Sequence, residues 1–325
     1  MLTRRTFLAS ASASCLAGPA LAQSYPTQTI RIIAGFPPGG GIDISARLMS
    51  EPLKDALGQT VIVENRTGAA GMLAANTVAK AAPDGHMLLM ATSGEIAISP
   101  HLYKDKMTYD PRRELAPIAL IGIVPCVVVV ADSTPVHNPQ ELIAYAKANA
   151  GKLSFSSSGV GNPQQLAGEL MNMMAGTNVL HVPYRGAAPA VTDVATGAVT
   201  MSFTSLAAAL PLIKADKIRA VAVTSKDRMP QLPDVPPLSE GPGLAGYELL
   251  NWFGLFATGG TPSEIVDRLN DIVNTALMTP SILDKLTVQG IVPRLMSAKE
   301  YASFVASETE KFGKIVEQAH IKLEN

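Results

Sequence analysis

Apolar and polar positions along this chain change their period again and again. Residues 29–36 read Thr-Ile-Arg-Ile-Ile-Ala-Gly-Phe, an apolar strand pattern that runs into Pro-Pro-Gly-Gly-Gly. At 42–57 the spacing turns helical, with Ile44, Leu48 and Leu53 available to one face and Gly58 as the stop. A short strand at 61–64, a small-residue helix at 70–81 closed by Pro83-Asp84-Gly85, and a strand at 87–91 follow. After 126–131 the alternation restarts. Helices are predicted at 139–150, 164–175, 189–195 and 206–215, and strands at 153–156, 179–182, 200–203 and 218–224. A Pro-rich passage covers 230–242, a strand is predicted at 248–257, and amphipathic helices at 262–277 and 298–319 close the chain.

Strand–helix repeats of this kind imply parallel sheets covered by helices. Two alternating blocks with a Pro-rich return predict an α/β protein of two lobes. The expected boundaries are 23–125 for lobe 1, 126–225 for lobe 2, and 226–325 for a return segment whose helices pack on lobe 1. The chain would then cross between lobes twice. Residues 115–131 carry no charge and mimic a membrane span, but Pro117, Gly122 and Pro125 interrupt them and Val and Ile dominate. Two buried strands separated at Pro125 fit better than a helix.

Composition narrows the function. Of 325 residues, 47% are hydrophobic and 16% charged, too apolar for disorder and long enough for a large core. A net charge of -1 argues against nucleic acid, which needs a basic face. Aromatics make up only 5%, so the core should rest on Ala, Val, Ile and Leu. Residues 1–22 combine Arg4 and Arg5, an acid-free, weakly apolar stretch, and Ala20-Leu21-Ala22. This is the layout of a signal peptide, cleaved after Ala22, and Thr3-Arg4-Arg5-Thr6-Phe7-Leu8 is similar to a twin-arginine export signal. Cleavage would remove Cys15 and leave Cys126 without a disulfide partner, in a periplasmic, soluble protein.

Much chemistry is missing. The five histidines are never three to five residues apart, and there is no HExxH, CxxC, GxxxxGK[ST] or GxSxG. No metal, cofactor or recognisable nucleophile is expected. What stands out is loops. Phe36-Pro37-Pro38-Gly39-Gly40-Gly41-Ile42-Asp43 follows a strand and opens a helix, so its backbone N–H groups and the helix dipole form a natural anion cradle. Ser157-Ser158-Gly159 with Asn162, and Tyr184-Arg185-Gly186-Ala187, repeat the arrangement. Thr92-Ser93 and Thr204-Ser205 add hydroxyls at two further strand ends. Open α/β sheets bind ligands at the carboxyl ends of their strands. A micromolar ligand needs about 8 kcal/mol, and charge-assisted hydrogen bonds supply roughly 1.5–3 kcal/mol each, so several such donors suffice.

The pieces Phe36-Pro-Pro-Gly-Gly-Gly41, Val63-Glu-Asn-Arg66, Ala79-Lys-Ala-Ala-Pro-Asp-Gly85, Leu166-Ala-Gly-Glu169, His181-Val-Pro-Tyr-Arg-Gly186, Leu232-Pro-Asp-Val-Pro236, Trp252-Phe-Gly-Leu-Phe256 and Thr261-Pro262 span nearly the whole chain. In order and spacing they resemble the extracytoplasmic solute receptors of tripartite tricarboxylate transporters, the Bug family. The resemblance implies a two-lobe periplasmic-binding-protein fold, type II-like, that closes as a Venus flytrap on a ligand in the cleft between its lobes. It implies a monomer that captures a small organic carboxylate and delivers it to a permease of two integral subunits, without catalysis. Carried over, Phe36 to Asp43 and Thr92-Ser93 line the cleft from one lobe. Ser157, Ser158, Gly159, Asn162, Tyr184, Arg185, Gly186, Ala187, Thr204 and Ser205 face them from the other. Asn162-Pro163-Gln164-Gln165 and Glu95-Ile96 depart from the common pattern and leave the ligand open. Glu95 would repel a second carboxylate, pair with a ligand amine, or point to solvent. An exported α/β enzyme acting on a small acid is the rival reading, to be recognised by a nucleophile–base pair in the cleft. A ligand-sensing adaptor for a membrane signalling protein would share the site.

Overall fold

The computed structural model describes residues 25–321; the leader expected at 1–22 lies outside them. The first sheet is built on β1 (Ile30–Ala34), which pairs in parallel with β2 (Val61–Asn65) and β3 (Met87–Thr92). Between β1 and β2 runs α1 (Gly41–Leu57), which buries Ile42, Ala46, Met49, Leu53 and Leu57 and ends on left-handed Gly58. A tight turn at Ala69–Gly71 leads into α2 (Met72–Ala79). Two short helices, α3 (Ser99–Leu102) and α4 (Pro111–Glu114), follow β3.

The strand β4 (Leu115–Ala131) joins the two lobes. Up to Pro125 it pairs with β9 (Leu250–Thr258), and from Cys126 with β7 (Met201–Ser205) and β8 (Ile218–Val223). The two strands expected on either side of Pro125 are therefore one strand, which changes sheets at that residue. Proline keeps an extended backbone and gives up only one ladder N–H, and here the loss falls where one sheet hands over to the other. The first sheet has the order β2-β1-β3-β9-β4. The second places β5 (Ser154–Ser157) in parallel between β6 (Leu180–Pro183) and β7, with β4 and β8 antiparallel beyond. The sheets are thus mixed rather than wholly parallel. The β1–β3 and β5–β7 blocks pair in parallel through helical crossovers, whereas β4 and β9, which cross between the lobes, run antiparallel to their neighbours.

Helices α5 (Pro139–Ala148), α6 (Pro163–Ala175), α7 (Ala187–Thr196) and α8 (Leu206–Lys214) cover the second sheet. The chain returns beside the first crossing, where Cys126 N–H donates to Thr224 Oγ1 at 2.8 Å and Leu249 N–H to Thr224 O at 3.0 Å. Of the closing helices, α9 (Ser263–Leu277) packs on α1 and β4, and α10 (Pro280–Val288), absent from the sequence pattern, packs on α9. The last, α11 (Ala298–Gln318), starts with a Ser297–Glu300 capping box and touches α6 as well as β4. Few as the aromatics are, they cluster: Trp252, Phe256, Tyr301 and Phe304 pack together, with Trp252 and Tyr301 edge to face at 6.1 Å.

Candidate functional site

A cavity of about 560 Å³ lies where the carboxyl ends of β1 and β3 face those of β5, β6 and β7. A larger groove, of about 890 Å³, runs over the surface between α3 and the end of α11, and it holds none of the residues singled out from the sequence. The inter-lobe cavity is the one with chemistry in common with the loops.

The first wall comes from the Gly-rich loop. Phe36, Pro37, Pro38, Gly40, Gly41 and Ile42 stand on it. Gly39 takes φ +85°, which glycine adopts without strain, and α1 then begins at Gly41 with no side-chain cap. The N–H groups of its first turn are left for a ligand. Gly41 also sits against Phe253, whose ring a Cβ would meet at 2.8 Å. Asp43 is off the wall. It is buried and accepts from Gly39 N–H at 3.0 Å, from Arg47 Nε at 3.0 Å and from Asn65 Nδ2 at 3.0 Å. Burial works against its ionisation, but these bonds outweigh it and hold the carboxyl below its ordinary range. Asn65 also donates to Phe36 O at 2.9 Å, so Asp43, Arg47 and Asn65 brace the loop from behind.

On the second lobe, Ser158, Gly159 and Asn162 line the cavity. Asn162 caps α6 by accepting from Gln165 N–H, while its Nδ2 donates to Ser158 Oγ at 3.0 Å. Gly186 and Ala187 form the uncapped start of α7, and Ser205 that of α8. Thr92 and Gly94 complete the wall from β3.

Other residues of the same loops are turned elsewhere. Gly39 is exposed at the loop tip. Ser93 Oγ donates to Asn251 Oδ1 at 2.9 Å. Tyr184 OH donates to Asp193 at 2.6 Å, Arg185 is exposed away from the cavity, and Thr204 is buried with its hydroxyl unpartnered. Ser157 lies behind Gly159, its Oγ 2.7 Å from His181 Nε2 and 2.8 Å from Gly159 O. Burial pushes His181 down to about 4, so the ring is neutral. The carbonyl can only accept, so the serine proton goes to Gly159 O and His181 donates its Nε2–H to Oγ. That polarity is opposite to a general base activating a nucleophile.

The sequence pattern missed several wall residues. Val124, Pro125 and Cys126 come from the crossing strand, Asn251 and Phe253 from β9, Gln164 from α6 and Gln289 from the end of α10. The Trp252-Phe253 motif marked one neighbourhood, but nothing local marks Gln289. Asn251 Oδ1 accepts from both Ser93 and Trp252 N–H, so the group it offers a ligand is its NH2. No Asp, Glu, Lys, Arg or His stands on the wall among the described residues, and its one thiol, Cys126, is pushed up to about 12 by burial. Glu95 neither faces solvent nor the cavity: it is fully buried behind Thr92.

Comparison with known proteins agrees with this geometry. The profile of the tripartite tricarboxylate transporter family receptor matches residues 45–321. BugT of Bordetella pertussis is 32% identical over 95% of this chain and 94% of its own length. The solved structure of Rhodopseudomonas palustris Rpa4515 with adipate superposes with a TM-score of 0.81 at 35% identity, over 92% of this chain and 99% of that one. That of MatC from the same organism with bound malate gives 0.76 at 31% identity, over 90% and 100%. With two lobes, a shared cavity and these relatives, the chain belongs to the Bug family of tripartite tricarboxylate transporter receptors.

Proposed function

We propose that this chain is a periplasmic receptor that closes on a small organic carboxylate and hands it to a two-subunit membrane permease. The observation that carries the reading is the chemistry of the cavity: uncapped helix starts, hydroxyls and amide NH2 groups, with no charged side chain. An anion there gains N–H donors and positive helix ends from both lobes. A cationic ligand would find no carboxylate on the wall. The relatives with adipate and malate supply the ligand class. Closure is a population shift toward the state in which both lobes contact the ligand, and the permease would dock that state.

The residues we assign to the ligand are those of the Gly40–Gly41 turn, Thr92, Ser158, Gly159, Asn162, Gly186, Ala187 and Ser205. Asp43, Ser157 and Tyr184 serve as their supports. Export by the leader, with cleavage after Ala22, puts the lone thiol Cys126 in a compartment where a buried, unpaired cysteine is harmless. The Ser157–His181 pair holds the loop rather than attacking a substrate, so the receptor returns its ligand unchanged.

Isothermal titration of the purified mature chain with adipate, malate and other small carboxylates tests this. At least one should bind with a Kd of about micromolar or tighter and be recovered intact. Absence of binding across the panel, or recovery of a chemically altered compound, would overturn the reading.

A further inference from the structure

Glu95 is unused by the reading above, yet it lies directly behind the cavity wall. Its side chain is fully buried, at the start of the turn that follows β3. Oε1 accepts the N–H of Thr92 at 2.8 Å and Oε2 accepts the Thr92 hydroxyl at 2.5 Å. Thr92 Oγ1 in turn accepts Gly94 N–H at 2.9 Å. Thr92 and Gly94 both line the cavity. On its other side the carboxyl abuts Gly71, where a Cβ would meet Oε1 at 3.1 Å, and the neighbouring Ala70 is again a wall residue. Among the described residues, the titratable groups that respond to Glu95 are two phenols. Tyr109 OH donates to the Glu95 backbone carbonyl at 2.6 Å, and the buried hydroxyl of Tyr301, from α11, has no partner. No Lys, Arg or His contributes to its charge balance among the described residues.

In the ionised state both donors of Thr92 are spent on Glu95. The hydroxyl hydrogen points away from the cavity, and an uncompensated negative charge stands behind the wall. Adding one proton to Oε2 changes both. The carboxyl O–H then donates to Thr92 Oγ1, and the Thr92 hydrogen is free to turn toward a ligand oxygen. No other bond forms or breaks.

We infer that Glu95 couples carboxylate binding to proton uptake: the receptor holds its anion together with a proton on Glu95, relayed to the ligand as a hydrogen bond from Thr92. Glu95 is thereby a positioning residue, and the inference rests on the carboxylate reading of the cavity. Burial pushes its carboxyl up to about 7, so both protonation states occur near neutral pH.

The test is titration of the wild-type chain with adipate and with malate from about pH 5.5 to about pH 8.5, in buffers of differing ionisation enthalpy to count protons. Binding should take up a proton near neutral pH, and the Kd should rise by up to about tenfold per pH unit above the Glu95 titration. Glu95→Gln, whose amide keeps a donor for Thr92 Oγ1, should bind with a flat pH profile and no proton uptake. Thr92→Val should lose both affinity at low pH and the coupling. Wild-type binding with no proton uptake and an unchanging Kd overturns the coupling alone and leaves the carboxylate reading standing. A Glu95→Gln chain that keeps the wild-type pH profile does the same. Failure to bind any carboxylate at any pH overturns the reading itself, and the coupling with it.

Discussion

At the scale of the residue, small side chains decide what the cavity can do. Gly40 has an ordinary φ of -81°, and a Cβ there would touch only Pro37 O at 3.6 Å. Gly40→Val should therefore fold, at a cost of about 1 kcal/mol for a poor N-cap. It should nonetheless weaken carboxylate binding at least about tenfold by crowding the first-turn N–H groups. Calorimetry beside a urea titration separates the two effects, and unchanged affinity would remove the loop from the site. The buried ionisable groups make opposite contributions to stability with pH. Glu95 has a raised carboxyl, so the unfolded chain loses its proton first, and stability falls as pH rises from about 4.5 to about 7. Glu95→Gln should remove that decline, worth about 3 kcal/mol at full ionisation. His181 is depressed to about 4, so its contribution is present above the ordinary histidine range and lost as pH falls toward 4. His181→Asn should flatten the acid side of the urea-midpoint profile, and a profile identical to wild type would refute its burial.

At the scale of the element, the crossing strands do more than their sequence suggests. β4 pairs with β9 through Pro125 and then with β7 and β8 from Cys126. One strand thus belongs to both lobes and still supplies Val124, Pro125 and Cys126 to the ligand cavity. β9 carries the second dependence. A Cβ on Gly254 would fall 1.7 Å from the Tyr301 hydroxyl, so α11 can lie on this strand only over a glycine. Gly254→Ala should destabilise the protein by at least about 1–3 kcal/mol, the usual range for overpacking. A urea midpoint at the wild-type value would contradict the packing of α11 on β9. Cys126 is buried, and its thiol is pushed up to about 12. It should resist alkylation in the folded chain at neutral pH and react fully in denaturant, as mass spectrometry would show.

At the scale of the whole molecule, function lies in the gap between two sheets joined by β4 and by the return past Thr224 and Leu249. Closing that gap brings N–H donors from two lobes onto one anion, so ligand should contract the protein. Small-angle scattering with a saturating carboxylate, chosen as one that binds by calorimetry, should show a smaller radius of gyration than the free chain, and an identical curve would argue against closure. The α6–α11 contact is a further link between the lobes, where the C-terminal segment touches the second lobe as well as the first.

The sequence by itself determined the loops and the alternation. Phe36-Pro37-Pro38-Gly39-Gly40-Gly41 and Gly186 specify their turns because glycine and proline act on their own backbone, with no help from distant residues. The helical and strand periods likewise report one buried face each, which is why the elements fell close to their expected bounds. Tertiary structure alone decided which residues meet. Gln289, Asn251 and Phe253 reach the cavity from segments more than two hundred residues beyond the first loop, and no local pattern encodes that approach. Pro125 became a handover rather than a break because a second sheet was there to continue the ladder. Glu95, whose side chain the sequence left open between the cleft and solvent, is buried behind Thr92 because two Thr92 donors and a bare Gly71 make room for it. Charge and hydrogen bonding act through space, so sequence proximity names the participants but not their partners.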